Sequence, residues 1–116
     1  MRFAGLIFLL LAAPAVAAPP MPWDGIARQP RLLDGAQEAW DAAAEMPEAV
    51  GSTTAVDIVV GLDGRVDRCR VVTSSGNPDA DRFACRVVER RFRYEAAANG
   101  RGDLKPMSTL WRFRWR

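Results

Sequence analysis

Two cysteines, Cys69 and Cys85, are the side chains of this 116-residue chain best suited to chemistry. A thiol pair can act as a nucleophile or redox couple, ligate a metal, or close a covalent staple. The chain has no histidine, so neither a Ser–His nor a Cys–His nucleophilic pair can be built. Two thiols without imidazole are also too few for a zinc site. Ser74-Ser75-Gly76 lacks the G-x-S-x-G elbow, and no P-loop or dinucleotide fingerprint is present. Glu38, Glu45 and Glu48 read as helix-surface acids. Asp79 and Asp81 read as acids at the positive end of a helix dipole, not as an acid/base pair. Arg101-Gly102-Asp103 spells a cell-adhesion tripeptide, which in a Gly-rich loop is read as chance. No enzymatic activity, cofactor or metal is expected. The staple remains. An exported chain with an even cysteine count favours a Cys69–Cys85 disulfide, stabilising by about 3 kcal/mol through the entropy of the loop it closes. Two buried thiols that never meet are the alternative.

Export is written at the N-terminus. Arg2 gives a positive start, residues 3–13 form an apolar stretch, and Ala15-Val16-Ala17 is a small-x-small cleavage site. Cleavage is expected after Ala17, ahead of Ala18. The other reading is an uncleaved membrane anchor. A spanning helix needs roughly 20 apolar residues, and Pro14 interrupts a shorter run, so a secretion signal over residues 1–17 and an exported mature protein are expected. About 99 of the 116 residues would remain, enough for one small domain.

Charge is uneven along the chain. Residues 18–57 carry seven acids and two arginines, whereas residues 58–116 carry seven acids and thirteen basic residues. A basic surface attracts phosphate, nucleic acid or lipid headgroups. An exported chain rarely meets nucleic acid, so a solvated basic surface is the plainer reading.

The elements follow from periodicity. Residues 18–50 begin with a Pro-rich loose stretch, show no clear period from Trp23 to Pro30, and then give an Ala-rich helix over residues 34–46. That helix is expected to lay Trp40 and its alanines on a sheet and to stop at Met46-Pro47. Residues 54–60 are the most apolar strand, with Val56, Ile58 and Val60 on one face. Asp63-Gly64 turns the chain into a second strand, residues 65–73, whose imperfect alternation predicts a bulge. Asn77 is the N-cap of a helix with Pro78 in its first turn. Ala80, Phe83, Ala84, Val87 and Val88 share its apolar face, with Cys85 at the edge. A last strand over residues 107–115 alternates sharply. Met107, Thr109, Trp111, Phe113 and Trp115 point one way, and Ser108, Leu110, Arg112, Arg114 and Arg116 the other. Pro106 and the outward arginines suit a sheet edge. The expected fold is α+β: a β–β–α–β unit with a three-stranded antiparallel sheet, one packed helix and an extra N-terminal helix.

The order of Asp-Gly turn, Ser-Ser-Gly break, helix start at Asn77 and aromatic final strand resembles the C-terminal domain of TonB, over residues 51–116. The resemblance implies a periplasmic protein-binding module in TonB-dependent transport. Its last strand would pair with an extended segment of an outer-membrane transporter or another envelope protein. Met107, Ser108, Thr109, Leu110, Trp111, Arg112 and Phe113 would supply that edge by β-augmentation. The alternative function is a structural envelope protein resting its basic face on anionic lipid or cell-wall polymer. The chain departs from the family pattern in three places. Met46-Pro47 stands where a Tyr-Pro pair is usual, Ala96 where a Pro is expected, and no long Pro-rich spacer follows the apolar N-terminus.

Overall fold

A run of β-branched residues decides the centre of the molecule. In the computed structural model, which describes Gly5 and residues 25–116, Thr53–Val60 forms the middle strand, β3, of a three-stranded sheet. Its neighbours are Val66–Thr73 (β4) and Met107–Arg114 (β8), both antiparallel to it. Val56, Ile58 and Val60 are fully buried. They lie under the helix Pro78–Arg91 (α2), whose Ala80, Ala84, Val87 and Val88 form the facing apolar stripe. Asn77 caps this helix as its side-chain oxygen accepts from the backbone N–H of Asp79 and Ala80 at 2.9 and 3.2 Å. That satisfies two of the donors a helix start leaves free.

The bulge expected in the second strand occurs twice. Ala55 faces Thr73 and Val56 faces Val71, leaving Val72 unpaired; Val59 faces Arg68 and Val60 faces Val66, leaving Asp67 unpaired. Between the bulges Cys69 turns inward and is joined by a disulfide to Cys85 of α2, with Cα atoms 5.6 Å apart. The staple therefore fastens the helix to an edge strand.

The expected β–β–α–β order is interrupted. Between α2 and β8 the chain makes three short strands, Arg93–Glu95 (β5), Ala97–Asn99 (β6) and Leu104–Lys105 (β7). They join two short strands ahead of the first helix, Ile26–Arg28 (β1) and Arg31–Asp34 (β2). β2 pairs with β5, and β1, β6 and β7 make a third small sheet. Among the described residues the molecule is thus mixed α/β with two α-helices and small antiparallel sheets, and Ile26–Arg28, within the stretch that showed no clear period, and Arg31–Asp34 are paired strands. Segments of two to four residues are too short to display a period. The Arg-Gly-Asp tripeptide sits in the turn from β6 to β7. There Asn99 Oδ1 accepts from the backbone N–H groups of Arg101 and Asp103, a local role in shaping the turn.

The first helix, Ala36–Ala42 (α1), is shorter than the predicted 34–46. Gly35, at φ +113°, stands ahead of it in the left-handed region, where a Cβ would strike Phe92. Past Ala42 the bonds tighten to Ala44 N–H→Asp41 O and Glu45 N–H→Ala42 O. Pro47 then forces Met46 out of the helical region and opens a short 3-10 turn, Pro47–Ala49. The position of Trp40 is also corrected. Ala39, Ala42 and Ala43 are buried, but Trp40 is 60% exposed. One residue is 100° of helix, so with Ala39 against the core its neighbour Trp40 points to the flank.

The Asp63-Gly64 turn is more than a hairpin closure. Gly64, at φ +78°, accepts at its carbonyl from Tyr94 N–H at 2.8 Å. A Cβ on Gly64 would lie 2.0 Å from Tyr94 O. The turn therefore docks the main sheet on β5, and only glycine fits there. The signal segment and residues 18–24 lie outside the described residues. Among the described residues no helix is long and apolar enough to cross a membrane.

Candidate functional site

β8 reads as strand because its residues alternate, and the structure sorts them as the alternation requires. Phe113 is buried and Met107, Thr109 and Trp111 are partly so, whereas Ser108, Leu110, Arg112 and Arg114 are exposed. Phe92 meets Trp111 edge-on at 5.0 Å, and Phe113 stacks on Trp115 at 5.5 Å. These ring contacts fix the inner face of the strand.

The backbone parity of β8 follows from its end. Trp115 N–H donates to Ser52 O, and Trp115 O accepts from Gly51 N–H, both at 3.0 Å. The register with β3 then runs without a shift from Thr53 opposite Arg114 to Val60 opposite Met107. Residues opposite each other in an antiparallel pair alternate between bonded and non-bonded. Met107, Thr109, Trp111 and Phe113 therefore spend their N–H and C=O groups on β3. Ser108, Leu110, Arg112 and Arg114 turn theirs to the outer edge. Arg116 has the same parity, and its N–H does point outward, donating to Ala43 O of α1's end at 3.0 Å. Among the described residues no strand pairs with this outer edge.

The sheet has a second edge, β4, and the two are not equivalent. The bulges at Val72 and Asp67 break the row of outward backbone groups on β4, as edges protected against pairing often do. β8 offers eight residues in one unbroken register. It is the better template for a further strand.

A hydrogen-bond chain anchors the C-terminal end of this edge. Trp115 Nε1–H donates to Thr54 Oγ1 at 2.8 Å, and Thr54 Oγ1–H donates to Asp81 Oδ1 at 2.8 Å. Asp81 Oδ1 also accepts from the Ser75 N–H and hydroxyl at 2.9 and 2.8 Å, and Oδ2 accepts from the Ser74 hydroxyl. Burial works against the carboxylate. The bonds from Ser74, Ser75 and Thr54 outweigh it and hold the carboxyl below its usual range. Sequence reasoning placed Asp81 at the helix dipole and missed this role. The signal was the pair of hydroxyls at Ser74 and Ser75, just ahead of a helix with an acid in its first turn.

Against the outer edge of β8, α1 leaves a groove of about 290 Å³. Ala36, Ala39, Trp40 and Ala43 line one side, and Trp111 to Arg114 the other. The Arg116 guanidinium lies 4.0 Å from the centre of the Trp40 ring and donates to Trp40 O at 3.1 Å. A wider cleft of about 440 Å³ lies between α1 and α2, with Glu38, Asp41 and Glu45 opposite Arg86, Arg90 and Arg91.

The sequence-derived residues Met107, Ser108, Thr109, Leu110, Trp111, Arg112 and Phe113 thus all fall on one strand at a sheet edge, with the disulfide between Cys69 and Cys85 at the opposite edge of the sheet. The family model described as Gram-negative bacterial TonB protein C-terminal matches residues 42–116. The chain belongs to that family. Searches of curated proteins and of solved structures return no match. The TonB C-terminal match takes in the three-stranded sheet, α2 and β8 whole, and begins at the last residue of α1. The family is non-enzymatic and transport-associated, and its members interact with outer-membrane proteins.

Proposed function

We propose that this chain is a periplasmic TonB-like binding module. It receives an extended segment of an outer-membrane transporter, or of another envelope protein, alongside β8 during TonB-dependent transport. The observation that carries the reading is the regular outer edge of β8, with outward backbone groups at Ser108, Leu110, Arg112 and Arg114. Strand addition needs such an edge, since main-chain bonds supply affinity and neighbouring side chains supply selectivity. Family membership supports an envelope protein as the partner.

The test is chemical-shift mapping with peptides derived from outer-membrane transporters. Amide shifts should concentrate on Ser108, Leu110 and Arg112. Leu110→Pro removes an outward donor without touching the β3 ladder, so the fold should persist while binding is lost. Arg112→Ala should weaken binding only modestly, because an exposed charge pair contributes about 0–1 kcal/mol. Binding should also survive moderate salt. Adhesion of the basic surface to anionic lipid or polymer would instead collapse with salt. Shifts confined to α1, with β8 silent, would rule strand addition out.

A further inference from the structure

A tryptophan left 60% exposed beside a sheet edge that no strand among the described residues pairs needs an explanation. α1 belongs to the helix layer, with Ala39, Ala42 and Ala43 in the core beside Phe113 and Trp115. Its flank faces the groove along the outer edge of β8. Trp40 therefore stands over the place that the next strand of the sheet would occupy. The groove is closed at one end. There Arg116 N–H bonds Ala43 O, and the Arg116 side chain bonds Trp40 O while lying on its ring.

The two faces of an added strand would meet different surroundings. Toward the helix layer lie Trp40, Ala36, Ala39 and Trp111, all apolar. Toward the open face of the sheet lie Arg112 and Arg114, whose β3 partners Ala55 and Thr53 carry no charge. Asp57, the acid on that face of β3, is paired with Arg70 of β4 at 3.8 Å. Opposite charges directly across a strand pair stabilise it and like charges destabilise it.

Building on the strand-addition reading above, we infer that the groove between α1 and β8 is a specificity slot for a segment alternating apolar and acidic residues. The apolar side chains pack beneath Trp40. The acidic ones lie beside Arg112 and Arg114. The Arg116–Ala43 closure stops the segment and sets its register. Trp40 is the specificity-determining residue of the helix-side face, and the two arginines are those of the open face.

The probes are blocked octapeptides, matching the eight residues of β8. One alternates valine with glutamate, one valine with lysine, and one serine with glutamate. The valine–glutamate peptide should shift the amides of Ser108, Leu110 and Arg112 together with the indole N–H of Trp40. Each of the other two should bind about tenfold weaker. Trp40→Ala should lower affinity for the valine–glutamate peptide about tenfold while leaving the serine–glutamate peptide unchanged. Trp40→Phe should restore part of the loss. Because the ring is largely exposed, both variants should keep the dispersed amide spectrum of the parent. If no peptide moves β8, the strand-addition reading falls and takes the slot with it. If β8 responds but Trp40→Ala binds every peptide as the parent does, the slot alone is overturned. Equal binding of the lysine and glutamate peptides would overturn the charge preference. A peptide-free dimer in sedimentation that protects Trp40 would put a second copy in the groove and overturn the inference.

Discussion

Asp81→Asn isolates what one buried charge contributes to the β8 edge of the sheet. Asp81 is 8% exposed, and its carboxylate accepts from Thr54, Ser74 and, twice, Ser75. Asparagine preserves the shape. Its carbonyl can keep the donors now on Oδ1, and its amide can face Ser74, whose hydroxyl is free to rotate and accept. What disappears is the charge. Hydrogen bonds to charged groups contribute about 1.5–3 kcal/mol each, against about 1 for neutral ones. Regained desolvation returns part of the difference, so a net loss of about 2 kcal/mol is expected. For a domain of this size that lowers the melting temperature by roughly 10 °C. Asp81→Ala should cost more, about 3–5 kcal/mol, because Thr54 and Ser75 lose their acceptor. The pH dependence identifies the source. The folded-state pKa of Asp81 is depressed, so its contribution is complete above the unfolded value of about 3.9. It is lost as pH falls through the folded value. Urea denaturation of parent and Asp81→Asn should therefore differ fully at neutral pH and converge as the pH falls through the depressed folded-state value. A gap that stays constant down the acid range would refute the charge argument. No gap at neutral pH would refute the network. A Thr54→Val cycle with Asp81→Asn should show coupling, since Thr54 relays the carboxylate to Trp115.

Gly64→Ala places a methyl on Tyr94 O at a left-handed backbone position, so thermal unfolding should show a loss of about 2–4 kcal/mol. Tyr94 is the sole tyrosine, and burial pushes its phenol up to about 12. Its ultraviolet titration should centre there, and stability should hold below about pH 10 and fall as pH rises through 12, because the fold favours the neutral phenol. Reducing Cys69–Cys85 should cost about 3 kcal/mol by the loop-closure argument, read as a lower urea midpoint of the reduced, alkylated protein. β8 lies at the opposite edge of the sheet from the disulfide-bonded β4, so peptide shifts on Ser108, Leu110 and Arg112 should persist after reduction.

The elements legible in the sequence were those long enough to show a period. α2 repeats its apolar residues at helical spacing through Val88, and β8 alternates over its whole length, so both the core face and the exposed face could be assigned residue by residue. The Asn77 cap was legible because capping is local chemistry. The small sheets were not. β5, β6 and β7 hold three residues or fewer, and the pairing of β5 with β2 and of β6 with β1 depends on contacts some sixty to seventy positions away. Trp40 was misplaced because α1 gives only two turns, too few to fix which arc faces inward. In so short a helix three buried alanines sufficed to dock it, and the largest side chain was free to point elsewhere.

The irregularity of the second strand carried more than its own shape. Arg65, Val66, Asp67, Arg68 and Cys69 do not alternate, and the reason is the pair of bulges at Asp67 and Val72. A bulge turns outward backbone groups out of line, so β4 cannot present an even row to an incoming strand. The same strand holds Cys69, and the disulfide to Cys85 pins it under α2. One edge of the sheet is thereby spent on bulges and a covalent tie to the helix. The other is left regular, anchored at Trp115 through Thr54 to Asp81, and flanked by α1. Which edge is available for binding was therefore decided as much by the broken alternation of β4 as by the clean alternation of β8.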